Sequence, residues 1–362
     1  MPRADNGATT VPSVPGVLSE QECLRTGRAI ADMQQSSGAI PWFPGGHTDP
    51  WDHIESAMAL IVTGLREEAE AAFEWSRRTQ RPDGSWPMQF RGDTIENADS
   101  DSNFAAYIAV GVWHHHLVTG DREFVGRMWP TVKAALDHVL SMQAPGGEIY
   151  WARGESGIAD EALLTGCSSI HHGLRCALRL AEIAGDPQPE WEFALYRLGH
   201  ALRRHPEVFA PKPEYSMDWY YPILGGAVRG TVAHERIRER WNDFVVDGLG
   251  IRCVDHRPWV TGAETCELVL ALDALGSYTR ARELFASMQH LRDPDGSYWT
   301  GLVFSDGKRW PVEKSSWTSA AVVLAADALS RTTGGSGLFR DAAAPAEWAG
   351  ADRCGDGCGV RV

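Results

Sequence analysis

The 362-residue chain has no run approaching 18 uninterrupted apolar residues, and its opening stretch, MPRADNGATTVPSVPG, holds no apolar segment of signal-peptide length. Neither a membrane-spanning helix nor a secretory leader is indicated, so a cytoplasmic protein without stable membrane insertion is expected. Positive charge is in deficit. Lys plus Arg is 34 against 48 for Asp plus Glu, a formal charge of −14 that disfavours binding to a phosphate backbone or an anionic surface, and no nucleic-acid partner is expected. Cysteine provides no disulfide framework either. The seven residues Cys23, Cys167, Cys176, Cys253, Cys266, Cys354 and Cys358 are odd in number and scattered, which suits a reducing compartment. Cys354 and Cys358 sit in the Gly-rich RCGDGCGV with no His beside them to complete a four-ligand site, so no metal and no cofactor is expected. Strand-type alternation over long runs is missing too.

What the chain does contain is helical periodicity. Apolar spacing and cap signals predict twelve helices, at about 19–35, 50–64, 66–79, 101–119, 122–142, 160–185, 189–204, 217–229, 231–246, 261–275, 277–290 and 315–331. Ser19 with Glu22 reads as a capping box, and Asp49 before Pro50 as an N-cap followed by proline at the first helical position. The connections alternate. Tight Gly turns (Gly64, Gly120-Asp121, Gly185-Asp186-Pro187, Gly230, Gly276-Ser277) alternate with long loops rich in aromatic and polar residues, such as QRPDGSWPMQFRGDTIENAD. Helices joined this way make six hairpins, which close most simply into a double ring: an all-α (α/α)6 toroid with every long loop on one face. Segments after the long loops, such as SAMALIV and WTSAAVVLAADAL, are uniformly apolar and suit the inner ring, whereas LREEAEAAFEWSRRTQ carries a charged outer face. A single barrel over 19–331 is expected, flanked by a disordered segment at 1–18 and a Gly, Ala and Pro-rich, loosely ordered tail at 332–362.

Tryptophan is abundant, 15 residues, and recurs with a pattern. Four outer helices end alike, in MQQSSGAIPW, TQRPDGSWP, MQAPGGEIYW and MQHLRDPDGSYW, each coupling a Gln to a Gly turn and then an aromatic residue. Gln capping the helix, Gly in the left-handed conformation and an aromatic folded back over the ring account for each copy structurally. The sets Gln80, Gly84, Trp86 and Gln289, Gly296, Trp299 resemble the QW repeats of squalene-hopene and related terpenoid cyclases. The six-hairpin count resembles the (α/α)6 glycosidases of the glucoamylase type, and DSNFAAYIAVGVWHHHLVTGD is similar to their inner-helix segments. The same repeats also resemble those of bacterial prenyltransferase-like proteins. Both resemblances imply a toroid. Two departures bear on chemistry: Asp99-Ser100-Asp101-Ser102 lacks the last carboxylate of a cyclase acid motif, and Cys266 follows Glu264 at the wrong spacing for a prenyltransferase zinc site.

Acidic residues recur where inner helices start: Asp49, Asp52, Asp99, Asp101, Asp160, Glu161, Asp218, Glu264 and Glu313. Each also suits the positive end of a helix. Their recurrence in all six units beside Trp42, Trp86, Trp151, Trp219, Trp259, Trp299, Trp310 and Trp317 suggests one cavity walled by aromatics and carboxylates. Such walls suit sugars, because indole stacks on the apolar face of a pyranose and hydrolysis needs an acid and a base carboxyl across the bond. The sequence therefore predicts a glycoside hydrolase of oligosaccharides or glycoconjugates. Glu264, at the mouth of an apolar helix, is the expected general acid, with Asp101 or Glu161 as base. Trp42, Asp52, Trp86, Trp151, Asp218, Trp219, Trp259, Trp299, Glu313 and Trp317 are the expected substrate-binding residues. Arg153, Arg257, Lys308 and Arg309 either hold an anionic group or neutralise the acidic rim. The alternatives are a polyprenyl substrate in the same aromatic pocket, or sugar epimerisation by His47, His53, His171, His172 and His256.

Overall fold

The computed structural model describes residues 10–340; residues 1–9 and 341–362, including Cys354 and Cys358, lie outside them. Among the described residues twelve α-helices follow in order: α1 Glu20–Ala31, α2 Pro50–Val62, α3 Arg66–Thr79, α4 Ser102–Thr119, α5 Arg122–Leu140, α6 Leu164–Ala184, α7 Pro189–Arg204, α8 Ser216–Leu224, α9 Gly230–Phe244, α10 Gly262–Ala274, α11 Tyr278–Ser287 and α12 Ser316–Ser330. The even-numbered helices pack each against the next, and α12 returns to α2, so they close an inner ring. Each odd-numbered helix packs on the outside of its hairpin partner. The protein is an (α/α)6 toroid.

Burial follows the composition. Every residue of α2 is buried, as is α12 from Ser316 to Ala328, whereas α3 buries Ala69, Ala72, Phe73, Trp75 and Ser76 and turns its charged residues outward. Neighbouring inner helices approach closely where side chains are missing: a Cβ on Gly111 of α4 would lie 2.4 Å from Ile54 Cγ2 of α2. The caps form as their sequences predict. Ser19 and Glu22 complete a capping box on α1, and Asp49 Oδ1 accepts the N–H groups of Trp51 and Asp52 at the start of α2.

Three helices differ from their predicted spans by four residues or more, the first of them, α1, ending at Ala31 rather than 35. The sixth starts at Leu164 rather than 160, because Ala162 bridges to Tyr150 in extended conformation. The eighth stops at Leu224 rather than 229, where Pro222 is followed by Gly225 and by Gly226 at φ 80°. The long loops also carry ten strands of two to four residues, too short to leave a period-2 signal in the sequence. The largest sheet has five antiparallel strands running from Val245–Val246 through Gly250–Arg252, Trp259–Thr261 and Gly301–Val303 to Lys308–Arg309.

Both ends of the barrel extend past 19–331. Val14 and Leu18, in the segment expected to be disordered, are buried in the core and bridge one another. In the expected loose tail, Gly334–Gly337 form a 3-10 turn and Leu338 is buried. Among the described residues no helix is long and apolar enough to cross a membrane.

Candidate active site

The long loops precede the inner helices, so the first turns of those helices surround one mouth. There they form a cleft of about 260 Å³, lined by Trp51, Asp52, Asp101, Phe104, Trp151, Thr165, Met217, Tyr221 and Trp317 among others. Two carboxyls lie in it. Asp101 caps α4, its Oδ1 accepting the N–H groups of Asn103 at 2.7 Å and Phe104 at 3.1 Å. Asp52 lies in the first turn of α2, beside the capping Asp49.

Burial pushes the Asp101 carboxyl up to about 7 despite its two amide donors. Asp52 is raised well above the carboxylate range, first by burial and then by the neighbouring charge of Asp49. Glu264 occupies the first turn of α10, which lies across the ring from α4, is 5% exposed and stands behind the cleft-lining residues rather than among them. Burial raises it as well, but Thr261 and Cys253 beside it favour its ionised form.

A second, buried layer of acids lies under the mouth. Glu55 accepts the Tyr107 hydroxyl at 3.2 Å, and Glu267 accepts those of Tyr221 at 2.6 Å and of Tyr220. Burial holds Glu267 at about 8 and raises Glu55 well above its ordinary value. Tyr221 lines both the cleft and a small cavity beneath it that Glu55, Tyr107 and Glu267 also line. These residues were not anticipated, although the sequence carries a signal for them. Asp52 and Glu55, like Glu264 and Glu267, are carboxyls three residues apart on otherwise apolar inner helices, a spacing that puts both on one face.

The expected catalytic and binding residues divide into two groups. Asp52, Asp101, Trp151 and Trp317 meet in the cleft. Trp42 adjoins them, its ring centroid 5.6 Å from that of Trp317 and its indole N–H donating to Glu313 at 2.6 Å; Trp317 in turn meets Trp51 edge-on at 5.9 Å. Asp218 accepts the hydroxyl of the cleft residue Thr165 at 2.6 Å. The others lie elsewhere. Trp86 is buried and donates to the Ser76 carbonyl, and Trp219 is buried, donates to the Arg236 carbonyl and stacks on Phe244. Trp259 donates to the Trp310 carbonyl, and Trp299 lies beneath the Lys314 ammonium. Glu161 is exposed, its carbonyl accepting the Trp151 N–H, and it is not among the cleft-lining residues.

Over 330 residues, spanning 91% of this chain and 92% of the relative, the sequence is 67% identical to the MMP endo-(1,4)-3-O-methyl-alpha-D-mannosidase of Mycolicibacterium hassiacum. The chain belongs to this mannosidase family. It is a glycoside hydrolase, and membership of the family decides between the sugar and isoprenoid readings of the aromatic walls. No protein-family model matches the chain. Among solved structures, a wild-type glycosidase superposes with a TM-score of 0.68 at 16% identity over 88% of this chain and 97% of its own. A D-mannose isomerase superposes at 0.65 and 11% identity over 87% and 98%. These two likenesses speak for the fold alone, and it is the family that separates hydrolysis from isomerisation.

Proposed function

We propose that this protein cleaves internal 1,4 linkages in oligosaccharides of 3-O-methyl-α-D-mannose, with Asp52 as general acid and Glu264 as general base. The 67% identity to the mannosidase along nearly the whole of both chains supports this substrate. The observation that carries the division of roles is the unlike surroundings of the two carboxyls. Asp52 is buried beside another acid, which favours its protonated form. Burial raises Glu264 as well, but Thr261 and Cys253 beside it oppose that rise and favour the anion. Asp52 is thus held protonated more strongly than Glu264, a difference that suits acid and base roles on a glycosidic bond. This reverses the role expected for Glu264 from the sequence.

In this reading Asp52 protonates the departing glycosidic oxygen while Glu264 takes a proton from the attacking water. Asp101, its Oδ1 already engaged by two backbone amides, holds a sugar hydroxyl rather than exchanging a proton with the reacting bond. Trp151 and Trp317 offer indole faces to the pyranose rings.

The test is steady-state kinetics on a defined 3-O-methyl-mannose oligosaccharide. Asp52→Asn and Glu264→Gln are each expected to lower kcat at least about a hundredfold with little change in KM, and Asp101→Asn to raise KM more than it lowers kcat. Full activity in either Asp52→Asn or Glu264→Gln would remove that residue from the mechanism.

A further inference from the structure

Trp310 and Val312 are 57% and 78% exposed, large apolar groups facing solvent at the same mouth of the barrel as the cleft. Their backbone is held firmly. Trp310 N–H donates to the Gly301 carbonyl at 3.1 Å, and the Trp310 carbonyl accepts the Trp259 indole N–H at 2.6 Å. The preceding strand Lys308–Arg309 pairs with Gly301–Val303, and Glu313 N–H closes back on the Pro311 carbonyl at 2.9 Å. Backbone hydrogen bonds thus fix the segment that presents an exposed indole and an exposed isopropyl group.

A path of contacts joins this ledge to the cleft. Glu313, the residue after Val312, accepts the Trp42 indole N–H at 2.6 Å; Trp42 packs on Trp317, and Trp317 lines the cleft. The segment that carries Trp310 and Val312 thus leads directly into Glu313, which holds the aromatic rim of the cleft. O-Methylation replaces a hydroxyl donor with an apolar methyl group, so a methylated hexose offers more apolar surface than its parent. Exposed indole and isopropyl groups match that surface better than a polar rim does.

We propose that Trp310 and Val312 form an outlying subsite that binds a hexose of an O-methylated chain extending beyond the cleft. The subsite rests on the mannosidase reading above and sets preference for substrate length. It is tested with Trp310→Ala and Val312→Ser on 3-O-methyl-mannose oligosaccharides of about four and about ten sugars. For the long substrate, Trp310→Ala is expected to lower kcat/KM about tenfold, through KM, and Val312→Ser less. The short substrate should be cleaved as by the unaltered protein, and Trp310→Phe should keep most of the long-substrate preference. An equal effect on both lengths, or none on either, overturns the subsite. The mannosidase reading fails separately, if the unaltered protein cleaves neither length. In that event calorimetry of the long oligosaccharide against the unaltered protein and Trp310→Ala still judges the ledge: a tenfold weaker Kd supports it, and equal Kd values or no binding overturn it. A second copy of the chain is the other occupant such a ledge admits. Dimers lost in Trp310→Ala, with cleavage of both lengths unaffected, would overturn the subsite in favour of self-association.

Discussion

Asp49 serves two functions, one through a single oxygen and one through its charge. Oδ1 caps α2 by accepting two backbone N–H groups, and the charge of the same carboxyl helps keep Asp52 protonated. Asn accepts the same cap bonds without the charge, so Asp49→Asn separates the functions. With the charge gone, the Asp52 pKa falls. The acid that must be protonated for cleavage is then lost at lower pH, and the alkaline limb of the kcat/KM profile is expected to move to more acidic values while the fold stays intact. Asp49→Ala removes the cap as well and should cost a further ~1 kcal/mol of stability. An alkaline limb that stays in place in Asp49→Asn would mean Asp52 is not the acid. Neighbouring positions show how far such roles are legible in sequence. That Asp49 caps a helix follows from Asp-Pro followed by an apolar run, a local signal. That its charge also bears on Asp52 depends on how deeply α2 is buried, and burial is set by the other five inner helices.

The connecting turns explain both the success and the main confusion of reading elements from sequence. In three of the four repeats the Gln side-chain N–H groups reach two carbonyls at once. Gln34 donates to Gly38 and Glu68, Gln80 to Gly84 and Thr131, and Gln143 to Gly147 and Ala194. The second carbonyl of each pair belongs to the next outer helix, so the repeat joins adjacent hairpins. Gln289 differs, accepting the Tyr298 hydroxyl at 2.8 Å. The glycine is needed for space as well as for its φ of 87°: a Cβ on Gly84 would lie 2.0 Å from the Ala134 carbonyl oxygen. Gly84→Ala is therefore expected to cost more than ~3 kcal/mol in urea unfolding, against ~1 kcal/mol for Gly45→Ala, where φ is 79° but the space is open. Similar losses at both sites would show that backbone conformation alone fixes the turn. Measured from its glycine, each repeat buries the residue two positions on: Ile40, Trp86, Ile149 and Tyr298. The residue four positions on is Trp42 or Trp151, at or beside the cleft, in the two copies that bear tryptophan there. The tryptophans looked equivalent in sequence because their offset from the glycine was not held fixed. Trp86 belongs to the buried register and is a packing residue.

The toroid was legible from the alternation of tight and long connections, which is a property of the whole chain, and so was the face on which the site would lie. The depth of the acids was not, because it depends on how the six inner helices close on their axis. The far end of that axis is sealed by residues after α12. Phe339 stacks on His172 at 5.0 Å and its carbonyl accepts from Arg229, while Arg340 joins Arg331 on the buried Asp273. Phe339→Ala is expected to cost ~2 kcal/mol by uncovering the lower cavity, and a loss under ~0.5 kcal/mol would show the seal to be incidental. Enclosing so many titratable groups makes stability depend on pH in a definite sense. Burial lowers His53 to about 4 and His114 and His171 to about 3, so across pH 4 to 6.5 the unfolded chain binds protons that the folded one does not. These histidines make stability rise with pH up to about 6.5 and contribute no slope above it. Burial acts oppositely on carboxyls. Asp101 at about 7 and Glu267 at about 8 keep protons in the folded state that the unfolded chain has already lost, so stability falls as pH rises through those values. Below pH 6.5 the two trends oppose; above it the carboxyls act alone. Urea-unfolding free energy is accordingly expected to decline from pH 6.5 to 8, by up to ~1.4 kcal/mol per pH unit for each carboxyl still protonated. Glu267→Gln, which keeps an acceptor for Tyr221 but cannot ionise, should flatten that decline whatever it does to stability at pH 6.5. A slope between pH 6.5 and 8 that is the same in both proteins would show that Glu267 ionises as readily folded as unfolded, and that the acids beneath the cleft are not held protonated by their burial.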